Sequence, residues 1–256
     1  MKPELRIGTS GWNYGDWRGR FYPPDLPSKQ YLGWYARHFR TVEVNYSFYH
    51  LPRPSTYENW AAQVPDGFVF AVKASRLITH IRRLEGAGEE WRKFLDNAAA
   101  LGAKLGPILL QFPPSFKANA DALGAFLSAT PKPPHLAFEF RHASWFDPEI
   151  LDTLRRHHAA LVIADSERYP QAPAVPTAPF MYLRFHGPAE LFASSYSDGQ
   201  LSAWSRRIQA WLAQGLSVYA YFNNDFHGHA LANARTLECL VGALRSTSSP
   251  EGYNQV

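Results

Sequence analysis

Residues 68–73 read Phe68-Val69-Phe70-Ala71-Val72-Lys73, an apolar run that ends on a charge. In a β-strand, residues two apart share a face. The bulky set Phe68, Phe70 and Val72 therefore lies on one side, and Val69, Ala71 and Lys73 on the other. In a parallel barrel the bulky set faces the surrounding helices and the smaller set, with Lys73, faces the barrel axis.

The same kind of run recurs on both sides of it. Strands are expected at Leu5–Ser10, Val42–Tyr46, Ile108–Phe112, Leu136–Phe140, Leu161–Asp165, Phe180–His186 and Val218–Asn223. Helical spacing fills most of the intervals, at Ser28–Phe39, Thr56–Gln63, Glu89–Ala103, Ala118–Ala129, Pro148–His158 and Leu201–Ala213, and again at Ala230–Leu244 after the last strand. Strand then helix, repeated through 256 residues, is the rhythm of an α/β protein of the TIM-type (β/α)8 barrel. One unit breaks it. Ser166–Pro179 carries Pro170, Pro173, Pro176 and Pro179, so an extended proline-rich loop is expected in place of the sixth helix. The rival is an open doubly wound sheet, but no GxGxxG or P-loop follows any strand. A single barrel domain over 5–245 and a flexible polar tail over 246–256 are expected.

Composition narrows the class. A chain 46% hydrophobic and 19% charged is neither disordered, nor a coiled coil, nor a collagen-like fibre. No run approaches the ~18 apolar residues that cross a bilayer, so no membrane partner is expected. The start, MKPELRIGTSGW, has no apolar core of a signal peptide, and Cys239 is the one cysteine. A cytoplasmic protein is the simplest reading. The net charge of +4 fits an anionic ligand without demanding one, since a solvated surface gives the same figure. No pattern specifies an oligomeric state.

The strand ends carry the chemistry. Alternation places Glu43 with Asn45 on the second strand, and Glu139 with Arg141 on the fifth. It places Arg184 with His186 on the seventh. Gln111, Asp165 and Asn223 close the fourth, sixth and eighth. Nearly every strand starts apolar and finishes polar at its C-terminal end, the end where barrels hold their active sites. Lys73, Arg141 and Arg184 there oppose Glu43, Glu139 and Asp165. Buried charges persist when paired. The network is therefore either a self-satisfied plug or a device that positions one or two perturbed groups against a substrate. Aromatic loops surround it: Trp12, Tyr14, Trp17, Phe21 and Tyr22 after the first strand, Phe48 and Tyr49 after the second, Trp145 after the fifth. Such side chains either pin their loops or stack on a ligand ring. Thr79 and His80 end the third loop, and Gln111–Ser115 reads as a rigid turn with an expected cis proline.

Three function classes compete. The first is a metal-independent enzyme, a hydrolase or lyase, acting on a small anionic or phosphorylated molecule. Lys73 is its cation or base, and Glu43, Glu139 and Asp165 are its carboxylates. Arg141 and Arg184 form its anion clamp, and Trp12, Asn45, Tyr49, His80, Gln111, His186, Asn223 and Asn224 are further substrate contacts. It needs no metal and no cofactor. The second is a metal-dependent hydrolase of phosphodiesters in nucleic acid, using Glu43, Glu139, Asp165, His186 and His80. Against it, no His-x-His or HExxH spacing occurs, and three cations in one mouth repel a dication. The third is a non-catalytic module holding a ligand or single-stranded nucleic acid, for which no sustained basic stripe is present.

An anion site is also expected after the seventh and eighth strands, where many barrels bind phosphate. Arg184, Gly187, Asn223, Asn224 and Gly228 would build it, with Asp225 turned away from the mouth or capping the last helix. Tight turns and a helix cap are the alternative.

The stretches IGTSGWNYGDW (7–17), GRFYPPDLP (19–27), TVEVNYSFYHLP (41–52), FVFAVKASRLITH (68–80), LGPILLQFPPSF (105–116), AFEFRHASWF (137–146), YLRFHG (182–187) and YFNND (221–225) occur in that order. Together they resemble the YecE-like family, domain of unknown function 72, over about residues 5–244. The resemblance implies a TIM barrel. It also places the family's motifs on the strand ends singled out above.

Overall fold

Apolar runs that finish on polar residues form eight parallel strands: β1 (Leu5–Thr9), β2 (Thr41–Val44), β3 (Val69–Lys73), β4 (Leu105–Gln111), β5 (Leu136–Glu139), β6 (Ala159–Asp165), β7 (Phe180–Phe185) and β8 (Ser217–Phe222). The computed structural model describes residues 3–133, 135–189 and 192–247. The helices are α1 (Tyr31–Tyr35), α2 (Tyr46–Tyr49), α3 (Pro54–Ala62), α4 (Gly88–Ala98), α5 (Ala120–Ala129), α6 (Pro148–Arg156), α7 (Asp198–Ala213) and α8 (His229–Thr247). From β2 to β8 each strand pairs with its sequence neighbour, and β1 pairs with β8, which makes a TIM-type (β/α)8 barrel. No helix lies between β6 and β7. The prolines of 166–179 remove the backbone donors a helix needs there.

Helix starts follow local chemistry. Asp147 caps α6 through Glu149 N–H at 2.9 Å, with Pro148 in the first turn. Ser197 and Gln200 form a capping box that starts α7 at Asp198, three residues ahead of the expected Leu201. The expected helix over Ser28–Phe39 is shorter, a 3-10 turn at Ser28–Gln30 followed by α1. Ser246 and Thr247, expected in the tail, belong to α8, and the rest of that tail lies outside the described residues. Among the described residues no helix is long and apolar enough to cross a membrane.

The barrel closes between β1 and β2 through a single bridge, Ser10 with Glu43. Side chains complete this seam. Tyr35 Oη accepts from Thr9 N–H and donates to the Thr41 carbonyl, both at 3.0 Å. Gly8 is required there, because a Cβ on it would lie 2.3 Å from the Thr41 carbonyl oxygen.

Two cores result. Inside the barrel, Val69, Ala71, Leu109, Ala137, Val162 and Tyr182 are among the residues in contact. Outside, Phe68, Phe70, Val72, Leu110, Phe138 and Ile163 pack under the helices. The parity read from 68–73 is the one observed. Several loop aromatics serve as pins. Trp17 is fully buried and donates to the Asp225 carbonyl at 3.0 Å. Tyr22 stacks on Tyr31 with centroids 3.8 Å apart, and Trp145 stacks on Phe140 at 4.3 Å. The expected cis proline in Gln111–Ser115 is corrected. No peptide bond is cis among the described residues, and the turn closes instead by a Phe116 N–H bond to the Pro113 carbonyl at 3.0 Å.

Candidate functional site

Strand parity delivers a buried ion-pair network to the C-terminal mouth. The Glu43 carboxylate accepts from Ser10 Oγ (2.8 Å), Tyr182 Oη (2.7 Å), Arg184 Nε (2.9 Å) and Arg184 Nη2 (2.7 Å). Arg184 Nη1 donates to Glu139 Oε2 at 2.6 Å, and Arg141 Nε to Glu139 Oε1 at 2.9 Å. Glu43, Glu139 and Arg184 are essentially inaccessible to solvent. Burial alone would raise the Glu139 pKa, but Arg184, Arg141, His186 and Lys73 hold it well below the usual carboxylate range. Burial would lower that of Arg184, and the two glutamates raise it instead. His186 Nε2 stands 4.0 Å from Glu139, and its Nδ1 meets Asn223 Nδ2 at 3.1 Å. Burial first, then Arg184, lowers its pKa to about 3.

Lys73 stands apart from this network. It is buried at the end of β3, yet its Nζ has no hydrogen-bond or ion-pair partner among the described residues and lies 4.1 Å from the centre of the Phe48 ring. The glutamates that could have held it are taken by guanidinium groups. Burial, reinforced by Arg184, lowers its pKa to about 7.

Above Lys73 opens a cavity of about 540 Å³, lined in part by Asn45, Tyr49, His80, Gln111, Arg141, Arg184 and Asn223. Arg141 Nη1 bonds Tyr169 Oη at 3.1 Å, its guanidinium lies 4.2 Å from the centre of the Tyr169 ring, and its Nη2 has no hydrogen-bond partner among the described residues. Asn45 Oδ1 is buried without a partner. Gln111 Nε2 donates to the Phe112 carbonyl at 2.7 Å. His80 Nδ1 meets Thr79 Oγ1 at 2.9 Å, and burial followed by Lys73 lowers its pKa to about 4. Tyr49 is an exposed rim residue.

Other expected members lie elsewhere. Asp165 is not in the mouth. Val162 faces the barrel interior, so Asp165, three residues on, faces outward, where its Oδ2 accepts from Trp204 Nε1 of α7 at 3.0 Å. Trp12 lines a neighbouring cavity of about 580 Å³, edge-on to Trp60 with centroids 5.4 Å apart. Asn224 is fully buried and fastens a loop to α8, donating to Ser194 O and Asn233 Oδ1, each at 2.9 Å.

The anion cradle expected after β7 and β8 is not built as described. Gly187 and Gly228 do have φ of 103° and 78°. Arg184, however, is engaged by both glutamates, and Asp225 points into the cavity rather than away from it or onto the helix. The Tyr14 hydroxyl lies between the Ser10 carbonyl and Asp225 Oδ2, the latter at 2.9 Å. Burial raises the Asp225 pKa to about 8, with Glu43 adding to the effect and the hydrogen bond from Tyr14 opposing it. The second Asp225 oxygen is buried and unpartnered.

Tyr14 and Phe48, expected in the aromatic loops around the mouth, line the cavity, and so do Asp16, Phe192 and Phe226, which no sequence pattern singles out. Ser10 and Tyr182 on Glu43 were absent from the expected site. Tyr182 stands two residues before Arg184, so the alternation that selected one selects the other. Among the described residues no group of three or more His, Cys, Asp or Glu gathers as metal ligands, because the glutamates turn onto guanidinium groups.

Fold and mouth together define a (β/α)8 barrel with a polar cavity at the C-terminal ends of its strands. The chain belongs to the family described as "Protein of unknown function DUF72", whose model matches residues 6–254. It is similar to UPF0759 protein YunF of Bacillus subtilis, 25% identical, covering 91% of this chain and 93% of that protein. It is also similar to UPF0759 protein YecE of Escherichia coli O157:H7, 29% identical over 69% of this chain and 73% of that protein. A crystal structure of a DUF72 family protein from Thermotoga maritima superposes with a TM-score of 0.82 at 30% identity, covering 93% of this chain and 99% of that one. One from Enterococcus faecalis, at 22% identity and a TM-score of 0.77, shares the fold over 98% of this chain and 99% of its own.

Proposed function

We propose that the mouth is the active site of an enzyme acting on a small anionic or phosphorylated molecule, with Lys73 as its cation or base and Arg141 as its anion contact. The observation that carries this reading is the unpartnered Lys73 Nζ, buried in the cavity beside a network that leaves it out. Three cations, Lys73, Arg141 and Arg184, share the buried part of the mouth with Glu43 and Glu139, while Asp16 is an exposed carboxylate of the lining, so the buried part has a positive excess when Lys73 and Asp225 are both protonated. An anion relieves that imbalance in a desolvated site, where charge interactions are strong. The free Nη2 of Arg141 and the unpartnered Oδ1 of Asn45 add a donor and an acceptor. Glu43 and Glu139, saturated by donors, orient Arg184 and do not transfer protons. Acid–base work falls to Lys73 and Asp225, at about 7 and about 8, near working pH.

Thermal unfolding with inorganic phosphate and a set of phosphate monoesters tests this. At a hundredfold excess over Kd, a bound anion raises Tm by roughly 5 °C. The shift disappears in the Lys73→Met, Arg141→Leu double variant. No shift with any anion, or an equal shift in the variant, contradicts the proposal.

A further inference from the structure

We propose that Lys73 is an imine-forming nucleophile whose Nζ condenses with the carbonyl carbon of a small aldehyde or ketone that also carries a carboxylate or phosphate. The proposal rests on the reading of the mouth as an anion site and names its substrate class. A lysine that merely stabilises a fold takes a carboxylate partner. Lys73 has two glutamates in its own mouth and bonds neither, because Arg184 and Arg141 occupy them. Its Nζ faces the Phe48 ring and the open cavity instead. Desolvation and neighbouring cations are the two ways a lysine amine is made nucleophilic near neutrality, and both act here. With a pKa of about 7, about half of it is the free amine at neutral pH.

The remaining requirements lie on the same cavity. The Nζ lone pair forms the C–N bond while the carbonyl π pair moves to oxygen. One N–H proton passes to that oxygen, giving a carbinolamine. The hydroxyl then takes a second proton, from the Asp225 carboxyl, and leaves as water while nitrogen forms the C=N bond. Asp225 is left as a carboxylate and Lys73 as a cationic iminium. Asp225 lines the same cavity, and its burial keeps the carboxyl protonated near neutral pH, with a pKa of about 8. The free Nη2 of Arg141 takes the substrate's anionic group.

Reductive trapping tests the step. The full chain is incubated at pH 7 with sodium cyanoborohydride and, separately, pyruvate, glyoxylate and dihydroxyacetone phosphate. Peptide mass spectrometry then locates the adduct. With at least one probe, Lys73 is labelled at least about tenfold faster than exposed lysines such as Lys29, Lys93, Lys117 and Lys132. Lys73→Arg, which keeps a cation in place, removes the fast-labelled site and leaves the surface labelling unchanged. Labelling of Lys73 no faster than the exposed lysines with all three probes overturns the imine. Phosphate-dependent Tm, read on the same samples, separates the two failures. A phosphate shift without the adduct removes the imine and leaves the anion site. Neither signal removes both.

Discussion

Removing Glu139 takes away the carboxylate that accepts from Arg184 at 2.6 Å and Arg141 at 2.9 Å, leaving Arg184 with Glu43 and Arg141 without a carboxylate partner among the described residues. An uncompensated buried charge is costly, so Glu139→Ala lowers stability by about 3–5 kcal/mol. Urea denaturation measures this, and a loss under about 1 kcal/mol would show that the network is not what fills the mouth. Asp225 carries a pH signature of its own. Its carboxyl is held at about 8, against 3.8 for an ordinary aspartate, with burial as the main cause. Between those values the native state keeps a proton that the unfolded chain releases, so stability falls as pH rises, by at most about 1.4 kcal/mol per pH unit. Asp225→Asn removes that slope. Its stability advantage over the wild type is near zero at pH 4 and grows towards pH 8. An advantage independent of pH would mean that Asp225 titrates normally.

At the scale of elements, the β1–β2 seam is the weakest part of the sheet, with one bridge and a set of side-chain bonds from Tyr35. Gly8→Ala places a Cβ 2.3 Å from the Thr41 carbonyl oxygen, backbone that cannot swing away. A loss of about 1–3 kcal/mol or more in chemical denaturation is expected. An unchanged midpoint would show that β1 can part from β2 without cost. Strands explain what reading the chain could and could not supply. Where a run has a clear large–small alternation, as in 68–73, its inward face and Lys73 follow directly. β6 reads Ala-Ala-Leu-Val-Ile-Ala-Asp, with no size alternation strong enough to set parity, so the sequence leaves the direction of Asp165 open and the fold turns it onto α7. Asp225 escapes the sequence for a different reason. It lies just past β8, where backbone turning rather than alternation decides direction, and only tertiary packing of Tyr14 and Trp17 from the β1 loop brings it inward. The saturation of Arg184 by two glutamates from different strands is likewise a matter of distance across the barrel, which no local pattern encodes.

Across the whole molecule, an apolar barrel interior is topped by a nearly dry ion-pair layer, and that layer is the floor of a cavity. The floor is self-sufficient: each glutamate is paired, and both pairings of Arg184 are fully buried. On the proposed reading, what sets the mouth apart from a structural plug is Lys73, the cation left without a hydrogen-bond or ion-pair partner among the described residues. A plug has no use for a buried amine without a counter-ion, whereas a site for an anionic substrate does. The most direct measurement is a pH titration of the Lys73 side-chain nitrogen by NMR on 15N-lysine-labelled protein, with and without phosphate, assigned by the Lys73→Arg variant. A midpoint of about 7 is expected in the free protein, moved upward by phosphate because a neighbouring anion favours the ammonium form. A midpoint near the ordinary lysine value of about 10.4, unmoved by phosphate, would contradict that expectation.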